Sequence, residues 1–173
     1  MEQKKPITHL VAGLLIAAVL IICRLVIYFT GVEETGIVAW LPIIFLIAGL
    51  IIFINLYGNA KNNRVGFGDL FGYGFKTTAT VTLVVIVFMV IFIFLFPDAK
   101  EKGFEMARQK MEEKGDLTSD EIDKRLEVVR KMFWVFAIGG VLLIYAIVGA
   151  IGSAIGAAIT KKKPVNPMDQ LSI

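Results

Sequence analysis

The sequence contains few charged residues, a single cysteine (Cys23) and a single histidine (His9). Charged residues make up 19% of the chain and apolar residues 57%, whereas a soluble domain has about 25% charged residues and at most about half apolar ones. One cysteine excludes an intrachain disulfide, and one histidine excludes a metal site with two histidine ligands. These deficits exclude a disulfide-stapled secreted module, a disordered tail and a soluble enzyme domain. They indicate a polytopic membrane protein.

Residue patterns that carry catalysis are also missing. The sequence has no Gly-x-Ser-x-Gly and no His-Glu-x-x-His pattern, which are signatures of serine hydrolases and zinc proteases. The long apolar segments contain no Asp or Glu in their interior, so no carboxylate is placed for a proton relay. We therefore expect a non-enzymatic protein with no catalytic residue, no cofactor and no metal ion.

Four long apolar segments predict four transmembrane helices, because a bilayer core about 30 Å thick is crossed by about 20 apolar residues. The predicted spans are residues 7–29, 37–57, 75–96 and 132–160, each to within a few positions. Residues 97–131 form an insert between the third and fourth spans, and residues 161–173 form a tail. The sequence thus predicts an all-α integral membrane protein with a single membrane domain over residues 1–173.

Basic residues are concentrated on one side of the predicted spans. The segments on that side contain Lys4, Lys5, Lys61, Arg64, Lys76, Lys161, Lys162 and Lys163. The loop between the first two spans has no basic residue and contains Glu33 and Glu34. Since Lys and Arg are enriched in cytoplasmic segments, both termini are predicted to be cytoplasmic and the insert extracytoplasmic. Nucleic-acid binding is not expected, because no basic patch is interleaved with exposed aromatic residues.

The insert has the pattern of two amphipathic helices that close into a hairpin. Residues 99–114 carry apolar side chains at helical spacing and end at Gly115, a usual helix stop. Thr118 and Glu121 then match a capping box. No breaker follows, so one helix is predicted from Ser119 to Thr160, through the fourth span. The hairpin is either a solvated cover or a docking surface for a partner, and the sequence leaves both open.

Arg24 is a charged residue in the interior of a predicted span. It lies near the outer end of that span, where its side chain can reach the headgroup region. Glu33, Glu34 and Asp98 belong to the same side and are candidate partners. We interpret the four residues as an ion-pair or headgroup site, and Arg24 has either a structural role or a role in binding a ligand or lipid.

Small and hydroxyl-bearing residues suggest how the spans pack. Gly149, Gly152, Ser153 and Gly156 lie close together in the fourth span, and small residues at such spacing let helix backbones approach. They predict packing within the bundle or a seam between two copies. The third span begins with several threonines whose hydroxyls are expected to bond to helix carbonyls. Tyr145 is expected to contact one of them, Thr78 or Thr82, within the membrane.

Three features together indicate a family. They are the Gly-Phe-Gly-Asp-Leu-Phe-Gly-Tyr-Gly-Phe-Lys-Thr stretch that begins the third span, the Phe-Pro-Asp sequence that ends it, and the charged insert followed by a glycine-rich span and a Lys-Lys-Lys-Pro tail. In this layout the chain resembles the four-span bacterial membrane proteins grouped as domain of unknown function 4199. The resemblance implies the bacterial inner membrane, and it assigns no activity to any residue.

Two functions remain open from the sequence. The first is an accessory or assembly subunit that acts through helix packing and its outer hairpin. The alternative is a small oligomeric transporter, channel or lipid-binding protein. The partners expected are membrane lipids and either a larger membrane protein complex or further copies of the same chain.

Overall fold

The computed structural model describes residues 5–32 and 36–163 of the chain. Within these residues the protein is all-helical, with six helices and no strand. The helices are α1 (His9–Thr30), α2 (Gly36–Ala60), α3 (Phe67–Leu95), α4 (Pro97–Lys114), α5 (Ser119–Lys131) and α6 (Phe133–Ile159). Four of them, α1, α2, α3 and α6, are long and apolar enough to cross a membrane. The predicted all-α class with four long apolar helices is confirmed.

The chain divides into two compact units. The first unit consists of Met1–Val85 and Ile144–Ile173, and contains α1, α2, the first part of α3 and the last part of α6. The second unit is Ile86–Leu143, which contains α4, α5 and the adjoining parts of α3 and α6.

The core of the first unit consists of buried aliphatic side chains from all four of its helices. They are Ala12, Ile16, Ala17, Leu20, Leu46, Leu50, Ile54, Leu70, Val81 and Ala157. The opposite faces of the same helices are also apolar but exposed: Ile37 is 74% exposed and Leu83 is 66% exposed. A soluble protein rarely exposes continuous apolar surface of this kind, so these faces are typical of helices surrounded by lipid.

Local signals define where several helices begin and end. The hydroxyl of Thr8 accepts a hydrogen bond from the Val11 amide at 3.3 Å and so caps the start of α1. The helix ends at Gly31, whose φ of 67° is the left-handed conformation favoured by glycine. After α2, Asn62 and Asn63 adopt φ values of 56° and 61°, which asparagine tolerates better than most residues.

In the second unit, α4 and α5 pack antiparallel, which we call the α4–α5 hairpin. Arg108 of α4 pairs with Asp123 near the start of α5 at 3.1 Å, and Arg130 near the end of α5 pairs with Glu101 at 2.9 Å. Phe104 is buried between the helices. The buried side chains Ile122 and Leu126 lie on the inner face of α5.

The turn between these two helices is formed as the sequence predicts. Gly115 ends α4 with a φ of 68°. The Glu121 carboxylate accepts hydrogen bonds from the Thr118 amide at 2.8 Å and from the Thr118 hydroxyl at 2.9 Å. The predicted capping box is therefore confirmed.

One helix boundary differs from the prediction of a continuous helix between Ser119 and Thr160. The helix is interrupted at Met132, where φ is −105° and ψ is 23°. The Met132 amide bonds to the Val128 carbonyl and the Phe136 amide to the Met132 carbonyl, so hydrogen bonds are made on both sides of the interruption. It coincides with edge-to-face packing of Phe133 on Phe104 at 5.7 Å, a tertiary contact that no local sequence signal reveals.

Candidate functional site

The predicted small-residue positions of α6 are buried in the first unit. A methyl group on Gly149 would overlap the side chain of Thr78 in α3. A methyl group on Gly152 would lie 3.1 Å from Leu50, and one on Gly156 would lie 2.7 Å from Ile54, both in α2. These glycines therefore let α6 approach α2 and α3 within one chain. A seam between two copies is not needed to explain them.

The threonine hydroxyls at the start of the third span bond to their own helix. Thr77 donates to the Tyr73 carbonyl at 2.9 Å, Thr78 to Gly74 at 3.1 Å and Thr82 to Thr78 at 2.8 Å. Each hydroxyl proton is thereby used within α3, as the sequence predicts.

Tyr145 and Ser153 are the two remaining polar residues of this part of α6. Tyr145 lies beside Pro42 and Leu46 in the wall of a small apolar cavity, and its contact with Thr78 or Thr82 stays a prediction. The Ser153 hydroxyl is buried and has no hydrogen-bond partner among the described residues. A methyl group on Gly74 would lie 2.7 Å from this hydroxyl, so Ser153 occupies space left by a glycine.

The predicted ion-pair or headgroup site is only partly described. Arg24 is half-buried in α1, whereas Glu33 and Glu34 lie outside the described residues. Asp98 is exposed in the first turn of α4 and belongs to the second unit. The grouping of these four residues therefore stays a prediction.

A further candidate site is a cavity of about 500 Å³ in the first unit. Its walls come from the segment before α1 and the first residues of that helix, from the end of α2, and from the first three turns of α3. We call it the basic-end cavity, because Lys61 and Lys76 line it together with His9 and Asp69. A volume of this size lies within the range of about 300–1,000 Å³ found for ligand pockets.

Two tyrosines join the three walls of the basic-end cavity. Tyr57 of α2 and Tyr73 of α3 stack with ring centroids 4.2 Å apart and planes 12° apart. The Tyr73 hydroxyl donates a hydrogen bond to the Ile7 carbonyl at 3.0 Å. This bond ties the segment before α1 to α3. The buried Tyr73, which is 7% exposed, therefore fixes the relative positions of the three elements.

The sequence did not predict this cavity, although several of its residues belong to patterns described above. The glycine-rich stretch that begins α3 indicated only a family, and the lysines indicated only membrane orientation. Gly68 and Gly72 line the cavity, and a methyl group on either would meet nothing within 4 Å. Their spacing of one helical turn, beside lysines of the same membrane side, does not by itself distinguish glycines that border open space from glycines that pack against a neighbour.

The comparisons with known proteins give a family and no activity. The family described as protein of unknown function (DUF4199) matches residues 12–162. No curated protein and no solved structure matches the chain significantly. The match spans all four apolar helices, with only the first residues of α1 outside it. The chain therefore belongs to the DUF4199 family.

Proposed function

We propose that the protein is a non-enzymatic integral protein of the bacterial inner membrane that acts as an accessory or assembly subunit of a larger membrane complex. Its contacts with that complex are made by its spans and by the α4–α5 hairpin. The observation that carries the proposal is that the polar and small residues of the first unit serve hydrogen bonding and packing within the protein itself. The threonine hydroxyls are bonded to α3 and the α6 glycines serve close packing, which favours a structural body over a conducting pore.

In the proposed orientation, α1, α2, α3 and α6 cross the membrane and both termini are cytoplasmic. Two kinds of residue support this. The four helices are apolar over at least 18 consecutive residues. The described basic residues Lys61, Arg64 and Lys161 lie outside these helices on the side predicted to be cytoplasmic, and Lys76 lies near the start of α3 on the same side. The α4–α5 hairpin is then extracytoplasmic.

The α4–α5 hairpin is suited to contact a partner because its folding uses few of its surface residues. Phe104, Ile122 and Leu126 are buried within the second unit, and ion pairs such as Arg130–Glu101 join the two helices. The remaining surface is charged and exposed, with 10 acidic and 9 basic residues in positions 97–131. A charged surface contributes more to the specificity and rate of association with a partner than to affinity. This suits a subunit whose affinity for the complex comes from contacts of its spans.

The test is quantitative co-purification of the chromosomally tagged protein in a mild detergent. We expect a stoichiometric partner with the wild type and its loss with the double variant Glu105→Lys/Glu113→Lys, which changes exposed residues of α4. The matched control is Lys161→Ala/Lys163→Ala, which changes charge elsewhere in the chain and should retain the partner. A wild-type particle containing only copies of this chain would overturn the accessory role.

A second candidate is favoured by one observation, the basic-end cavity. Among the transporter, channel and lipid-binding alternatives, a cavity that combines lysines with apolar walls favours binding of a lipid. A lone homo-oligomer that retains a lipid through purification would support this alternative.

A further inference from the structure

We propose that the basic-end cavity binds a phosphate group, carried either by an anionic phospholipid or by a soluble phosphate compound. Lys61 in the turn after α2 and Lys76 in α3 line the cavity from different segments of the chain. Within the described part of the chain neither lysine forms an ion pair. The carboxylate of Asp69 accepts a hydrogen bond from the Gly66 amide at 3.2 Å, and this bond holds it at the start of α3. Two lysines therefore line the cavity against one aspartate, which leaves an excess of positive charge.

The shape of the cavity depends on residues that have no side chain. Gly68 and Gly72 lie one turn apart on α3 and line the cavity. A methyl group on either would meet nothing within 4 Å. Packing within the protein therefore does not require glycine at these two positions. Their lack of side chains leaves the space between α3 and the start of α1 open for a ligand group.

The cavity is held in this shape before any ligand binds. The bond from the Tyr73 hydroxyl to the Ile7 carbonyl and the stacking of Tyr73 on Tyr57 join its three walls. A site whose walls are already fixed loses less conformational entropy on binding than a flexible one. The two lysine side chains are the parts that have to order around the ligand.

The remaining wall favours a phosphate that carries an apolar body. Pro6, Ile7 and Leu10 form the apolar lining next to the lysines, and Leu10 is 55% exposed along the outer face of α1. Basic pockets between transmembrane helices on the cytoplasmic side are typical binding sites for anionic lipid headgroups. An anionic phospholipid would place its phosphate at Lys61 and Lys76 and the start of its acyl chains along α1.

Native mass spectrometry of the full-length protein in detergent tests the proposal. Phosphatidylglycerol and the zwitterionic phosphatidylcholine are added in parallel, and bound lipid is counted for each variant. We expect retention of phosphatidylglycerol over phosphatidylcholine. The double variant Lys61→Ala/Lys76→Ala should bind phosphatidylglycerol about thirtyfold more weakly, since each lysine contributes about 1 kcal/mol of attraction to an anionic lipid. Lys61→Arg/Lys76→Arg should retain binding, because the charge is kept.

The control Lys161→Ala/Lys163→Ala removes the same charge from exposed residues outside the cavity and should bind like the wild type. A control that weakens binding as much as Lys61→Ala/Lys76→Ala would assign the effect to general surface charge and overturn the proposal. Titration with inorganic phosphate separates the two sources. Displacement of phosphatidylglycerol by inorganic phosphate identifies a soluble phosphate compound, and its absence identifies the lipid headgroup. Wild-type protein that distinguishes neither lipid and binds no inorganic phosphate refutes the site.

Discussion

Replacement of Gly149 by alanine tests the packing of α6 against α3. The added methyl group would overlap Thr78, whose Oγ1 would lie 2.6 Å away and whose Cβ would lie 2.8 Å away. The Thr78 Cβ is fixed to the α3 backbone, so the overlap can be relieved only by moving a helix. Insertion of a methyl group into a packed core costs about 1–3 kcal/mol, and we expect a cost of this size for the overlap that Gly149→Ala creates.

The matched control is Gly139→Ala on the same helix. A methyl group on Gly139 would meet nothing within 4 Å. Alanine is favoured over glycine in a helix by about 1 kcal/mol, and this gain applies to both variants and cancels in their difference. Gly149→Ala should therefore be less stable than Gly139→Ala by the full cost of the overlap. At about 2–4 °C per kcal/mol for a chain of this size, the difference is readily measured.

Thermal unfolding in detergent, followed by tryptophan fluorescence, measures the difference between the variants. A double-mutant cycle with Thr78→Ala then tests the cause, because this substitution removes the two nearest atoms of the threonine. We expect the cost of Gly149→Ala to fall by more than about 0.5 kcal/mol in the Thr78→Ala background, as is usual for residues in contact. Equal stability of Gly149→Ala and Gly139→Ala would refute the proposed close approach of α6 and α3.

Two further predictions concern orientation and the α4–α5 hairpin. In a Cys23→Ser background, Glu113→Cys should react with a membrane-impermeant maleimide on intact cells and Lys161→Cys only after permeabilisation; the reverse pattern would contradict the proposed orientation. Hydrogen bonds from the Thr118 amide and hydroxyl lower the pKa of the Glu121 carboxyl below its ordinary value of 4.5. The ionised carboxylate therefore stabilises the start of α5 at pH values above 4.5. This stabilisation is lost as the pH falls through the lowered pKa. The amides at the start of α5 should therefore lose protection from hydrogen exchange in acid, after correction for intrinsic rates. In Glu121→Ala the same amides should lack this protection at every pH. An acid response that persists in Glu121→Ala would assign the effect to another group.

The features that the sequence predicted correctly are those determined by neighbours along the chain. A run of apolar residues long enough to cross a bilayer predicts a helix whatever surrounds it. The capping box of Thr118 and Glu121 and the left-handed Gly115 depend on residues within a few positions. The back-bonding of Thr78 is equally local, since its hydroxyl reaches the carbonyl four residues earlier.

The features that the sequence did not predict depend on residues far apart in the chain. The interruption at Met132 coincides with packing of Phe133 on Phe104, and the sequence between Ser119 and Thr160 contains no breaker that would announce it. The basic-end cavity depends on the hydrogen bond between Tyr73 and Ile7, which are 66 positions apart. Periodicity identifies the faces of a helix but not which distant segment lies against them.

The glycines at the start of α3 show why spacing alone could not reveal the cavity. Gly68 and Gly72 face open space, whereas a methyl group on Gly74 would meet Ile54 and Ser153 within 3 Å. In the sequence these three glycines lie within seven positions of one another, and nothing in the pattern distinguishes them. The structure separates them into one glycine that α2 and α6 require for packing and two that no protein contact requires. What distinguishes Gly68 and Gly72 from other helical glycines without a contact, such as Gly139, is that both line the cavity beside Lys61 and Lys76.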